Sequence, residues 1–138
     1  MTDEPFRPAL RTQADLERMW RALMSPLGFR GHSLWMVVIQ DDQPVPQLME
    51  IVEASAPPDP EEVESFARLL EHLAMPGLRF AFLRSRPGRG RPDATDRAWA
   101  RALRDAGRRA GAGVDVVHLA HDDDVLPIAL DDVLAEPA

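Results

Sequence analysis

Residues 33–40 read SLWMVVIQ, with six consecutive apolar side chains from Leu34 to Ile39. That is the length of a strand and far short of the roughly 20 residues that cross a bilayer. In a strand, Leu34, Met36 and Val38 share one face and Trp35, Val37 and Ile39 the other. Both faces are apolar, so both need cover, which predicts an interior strand between helical layers. Asp41, Asp42, Gln43 and Pro44 then make a tight polar turn, and QLMEIVE at 47–53 predicts a second strand. So short a connection makes the pair antiparallel, because a parallel crossover takes a dozen or more residues. Pro44 and Pro46 suit a turn or a sheet edge.

Upstream, Thr12 and Asp15 predict a helix start, with Leu16, Met19, Trp20 and Leu23 on its buried stripe and Pro26 and Gly28 ending it. Downstream, Asp59, Pro60 and Glu62 have the cap, first-turn proline and third-position acid of a second helix. Its buried stripe is Val63, Phe66, Ala67, Leu70 and Leu73. LRFAFL at 78–83 predicts a buried strand, and RSRPGRGRP at 84–92 an exposed loop, since so much Arg, Gly and Pro does not build a core. Asp93 and Asp96 open a third helix that buries Trp99, Ala102, Leu103, Ala106 and Ala110 and aligns Arg97, Arg101, Arg104 and Arg108 on one face. Strands follow at 114–120 and 125–130, the latter an edge because of Pro127, and residues 131–138 predict at most one weak turn.

The 138 residues suit one domain. The expected fold is α/β: a single domain over 12–138 behind a flexible arm at 1–11, with a mixed, mostly antiparallel sheet and helices on both faces. The rival is a ferredoxin-like α+β sandwich, whose helices cover one face only. There is no cysteine, which excludes thiolate metal sites, cysteine catalysis and disulfides. The opening MTDEPFRPAL lacks the basic and apolar regions of a secretory leader, and the expected location is the cytoplasm, with no membrane contact.

The net charge of −7 is unevenly distributed. Residues 84–109 carry nine arginines against three aspartates, net +6, while residues 110–138 carry seven acids and no base, net −7. Such complementary segments suit a homodimer or internal neutralisation. The loop arginines Arg84, Arg86, Arg89 and Arg91, beside the helix-start amides of Thr95 and Asp96, form a candidate anion site, for an acidic protein or a small anion. Nucleic acid is disfavoured, because no aromatic residue is interleaved from 84 to 98. GRGRP lacks the third glycine of a dinucleotide loop, and the chain has no lysine for a phosphate loop, so no nucleotide cofactor is expected.

His118 and His121 precede Asp122–Asp124, but an odd interval along a strand puts the histidines on opposite faces, and no metal is expected there. No serine lies in a nucleophile elbow, and no catalytic residue is assigned. Glu50 and Glu53, three apart on a strand, face opposite ways and cannot work as a pair. Glu50 alone, sharing a face with Leu48 and Val52, is a candidate remnant carboxylate.

The segment RFAFLRSRPGRGRPDATDRAWARALRDAGRRAG resembles the strand, loop and helix of the JAB/MPN metalloprotease-like superfamily, particularly its bacterial RadC-like branch. The preceding hairpin SLWMVVIQDDQPVPQLMEIVE and the helix after it look similar too, so that the resemblance spans about residues 32–130. It implies a sheet layered as in JAB/MPN and cytidine-deaminase-like folds. The family's two metal-binding histidines would fall on Arg84 and Arg86, its proline on Pro87 and its serine near Thr95. Its aspartate would fall on Arg97 by strict spacing, or on Asp96 with a loop one residue shorter. Guanidiniums offer a metal no lone pair and repel its charge. The resemblance thus implies a metal-free pseudoenzyme: a non-catalytic interaction domain that binds an acidic partner or anion through Arg84 and Arg86. The alternatives are a hydrolase of altered mechanism with Glu50 near the same notch, and a small-anion or nucleic-acid binding module.

Overall fold

The computed structural model describes residues 9–52 and 56–128. The order of elements is α1 (Gln13–Met24), β1 (Ser33–Gln40), β2 (Gln43–Val52), α2 (Pro60–Leu73), β3 (Leu78–Ser85), α3 (Ala94–Ala110), β4 (Gly113–Val114), β5 (His118–Ala120) and β6 (Val125–Pro127). The three helices of the described residues each open with a capping box, built by Thr12 and Asp15, Asp59 and Glu62, and Asp93 and Asp96. In each, the cap side chain takes an orphan helix amide and the acid three residues on reaches back to the cap N–H. α3 ends at Gly111, whose φ of 69° is open to glycine at little cost.

Among the described residues the sheet has six strands in the order β2-β1-β3-β5-β6, with β4 beside β3. β1 is antiparallel to both β2 and β3, β3 is parallel to β4 and β5, and β5 is antiparallel to β6. The hairpin turns on Asp41 and Asp42, both at positive φ (50° and 67°), where aspartate is among the few non-glycine residues tolerated. β2 begins at Gln43, earlier than expected, and its register against β1 breaks between Val37 and Ile39.

The two faces of β1 are buried in two separate clusters. Leu34 and Met36 pack with Phe80, Phe82 and Leu119 under Leu70 of α2 and Trp99 and Leu103 of α3. Val37 and Ile39 pack with Ala81, Leu83 and Ala120 under Leu16, Met19 and Trp20 of α1. Helices therefore cover both faces, as expected, and the one-sided sandwich does not apply. Each fully buried large side chain contributes about 1.5–3 kcal/mol, so both layers matter to stability.

Four details differ from the expectations. Leu23 of α1 is 43% exposed and Met24 takes its place in the core, because the buried stripe follows positions 16, 20 and 24. Of the α2 stripe only Leu70 is fully buried, the others packing half-buried against the core. The strand expected over 114–120 is split, because Asp115 turns its carboxylate to Arg79 Nε at 2.7 Å while its N–H donates to Phe80 O. Leu10, near the end of the expected arm, is fully buried and donates its N–H to Asp42 O at 2.7 Å. Arg79 gathers these parts, donating to Asp42, Asp115 and the Leu10 carbonyl. Residues 1–8, Glu53 and the turn expected over 131–138 lie outside the described residues.

Candidate functional site

β3 runs past Leu83. It pairs with β1 and β5 through Ser85, and Arg86 N–H donates to Ala120 O at 3.0 Å. Arg84 and Arg86 therefore lie on the same face as Phe82, the face toward α3. The expected exposed loop is consequently wrong at its start: Arg84, Ser85 and Arg86 are buried. Ser85 points the other way and accepts from Trp35 Nε1 at 2.8 Å.

Asp96, in the first turn of α3, receives both arginines. Arg84 Nη1 donates to its Oδ1 at 2.6 Å, and Arg86 donates through Nε at 3.0 and 3.1 Å and through Nη2 at 2.8 Å. The Arg84 and Asp96 side chains are 1% and 0% exposed. Asp93 adds a second carboxylate, 3.7 Å from Arg86 Nε. Burial by itself would raise the Asp96 carboxyl, but hydrogen bonds from Arg86 and the Asp93 N–H, with the charges of both guanidiniums, outweigh it and hold it below the ordinary value. Arg86 is raised in turn, chiefly by its hydrogen bonds to Asp96. Two cations thus face two anions, and the cluster neutralises itself.

The α3 N-terminus is also filled from within. Asp96 N–H donates to Asp93 Oδ1, and Asp93 N–H to Asp96 Oδ2, each at 2.8 Å. Thr95 is half-buried on the same turn.

The rest of the loop, 87–91, is held by its backbone while its arginines face water. Arg86 donates to the carbonyls of Pro87 and Arg91, and His121 Nε2 to Gly90 O at 2.8 Å. Gly88 N–H donates to the Asp122 carboxylate at 3.0 Å, and the same carboxylate takes Phe29 N–H. Arg89 is 79% exposed and lies 3.3 Å from Asp123, and Arg91 is exposed. His121 Nδ1 accepts from the N–H groups of Asp123 and Asp124, so both its ring nitrogens are occupied by backbone.

Glu50 stands apart from the arginines. It is exposed on β2 and accepts from Ser33 Oγ at 2.9 Å. Next to Ser33, His32 Nδ1 accepts from Arg84 Nη2 at 3.0 Å. Nothing in the sequence ties His32 or Asp93 to this end of the sheet; the one trace of the cluster is the alternation of Arg84 and Arg86 with an acid, Asp96, at the third helical position.

No family model matches the chain, and no curated protein or solved structure matches it significantly. No helix among the described residues is long and apolar enough to cross a membrane.

Proposed function

We propose that this chain is a non-catalytic interaction domain, a metal-free JAB/MPN-like pseudoenzyme in which an Arg84–Asp96–Arg86 ionic brace takes the position of the metal centre. What carries the reading is that the two residues aligned with the family's histidines and one of the two aligned with its aspartate converge in a single buried cluster. Arginines buried against Asp96 serve a partner indirectly. They clamp β3 to α3 and so fix the loop between them, and the contact with an acidic partner falls to Arg89 and Arg91 on that loop.

Anisotropy of a fluorescently labelled oligoglutamate peptide titrated with the full chain tests this. Salt-sensitive binding is expected, weakened about tenfold in Arg89→Ala/Arg91→Ala, since an exposed charge contributes under about 1 kcal/mol. Equal binding by both proteins would overturn the role of the loop. Tighter binding of labelled single-stranded DNA than of the peptide would favour the nucleic-acid alternative.

A further inference from the structure

His118 of β5 lies opposite Leu83 of β3 and Pro127 of β6, and it shares a face with Ala120, the face that α1 covers. It is fully buried. Its Nδ1–H donates to Val116 O at 3.2 Å, which leaves a lone pair on Nε2, and that atom is buried with no partner among the described residues. Trp20 Nε1, buried in the same layer, is unpartnered too, and an indole N–H can only donate. A proton arriving at His118 Nε2 therefore meets no acceptor. The carboxylates whose charge reaches the ring are already taken, Glu17 of α1 by Arg21 at 3.0 Å and Asp115 by Arg79 at 2.7 Å. Asp124, at the turn into β6, is held by Arg21 at 2.7 Å.

We propose that α1 is a proton-released cover: charging His118 frees this helix from the sheet while α2 and α3 stay packed on the opposite face. Burying an imidazolium with no acceptor is far costlier than burying the neutral ring. Water reaches Nε2 when the element above it moves. β5 is not that element, since it is hydrogen-bonded between β3 and β6. α1 is held by Leu16, Met19, Trp20 and Met24 and by the Arg21 bond to Val125 O at 2.9 Å. The cluster it closes is separate from the one under α2 and α3, so one layer can open without the other. When α1 lifts, His118 takes a proton at its ordinary value of about 6.5, and the charged ring opposes reclosure. Burial holds the covered ring below that value. Opening thus grows as pH falls below about 6.5, by up to roughly tenfold per unit until the covered ring titrates as well. Release bares Val37, Ala81, Leu83 and Ala120 on the sheet.

Native-state hydrogen exchange of the full chain in low urea, corrected for intrinsic exchange rates, tests this between about pH 7.5 and about pH 5.5. Amides of α1 should exchange through an opening less sensitive to urea than the one that exposes α3. That opening should grow about tenfold across the range, the span over which a freed histidine charges. His118→Gln should abolish the growth at α1. If glutamine destabilises the chain enough to merge the two events, His118→Leu, which keeps the position apolar, replaces it with the same expected result. A single exchange event shared by α1 and α3 at every pH, an α1 opening indifferent to pH, or a pH dependence that survives in the histidine variant would each overturn the proposal.

Discussion

Arg84 Nη1 and Asp96 Oδ1 lie 2.6 Å apart with both side chains closed off from water, joining the end of β3 to the first turn of α3. A charge pair this deep gains little over a well-packed apolar pair, but breaking it from one side is costly because the remaining charge stays buried. Asp96→Ala should therefore destabilise the fold by about 3–5 kcal/mol in urea. The triple change Arg84→Met/Arg86→Met/Asp96→Leu should recover much of that loss. A triple variant as unstable as Asp96→Ala would show that the cost lies in the lost cap and not in stranded cations.

The pH dependence has a definite sign. His118 is fully buried, donates Nδ1–H to Val116 O at 3.2 Å, and is held below the ordinary histidine value by burial. His32 is lowered too, by burial and then by the charges of Arg84 and Arg86. The unfolded chain thus takes up protons first, near pH 6.5, and stability is full above that and falls as pH drops toward the depressed folded values. Asp96 acts in the same direction in a lower window, its contribution lost as pH falls through the carboxylate range and below. Urea midpoints across pH should show an upper limb that His118→Gln flattens. An unchanged limb would place its origin elsewhere.

Capping signals made much of this architecture legible. Thr12, Asp59 and Asp93 each announced a helix, and the doubly apolar run 34–39 placed β1 between two layers. The burial of Arg84 and Arg86 was not legible, because composition treats arginine, glycine and proline as solvent-facing and says nothing of a carboxylate ten residues on. Two alternate arginines on a strand can be core when a helix brings one acid between them. The split at Asp115 was hidden for the same reason: its partner, Arg79, lies 36 residues away.

Gly107 lies where α3 passes close to β4. A Cβ there would overlap Val114 Cγ2 and come within 3.1 Å of Ala112 O. Alanine favours a helix over glycine by about 1 kcal/mol, yet Gly107→Ala should lower the melting temperature, since overpacking costs about 1–3 kcal/mol. A rise would mean that β4 yields easily.

Asp122 holds two loops through the N–H groups of Phe29 and Gly88. Asp122→Ala should leave core protection intact while amide exchange at those two residues accelerates. Unaltered exchange at both would remove Asp122 as their anchor.

β2 is the outermost strand at its end of the sheet, and among the described residues no strand lies beyond it. Such an edge invites intermolecular strand addition and, with Leu48 and Met49 exposed along it, aggregation. Pro44 and Pro46 each remove an amide donor at alternate positions, and the register break between Val37 and Ile39 bends the ladder beside them. A strand arriving from another molecule finds an interrupted row of donors, so two imino acids blunt fibre growth from the barest edge of the fold.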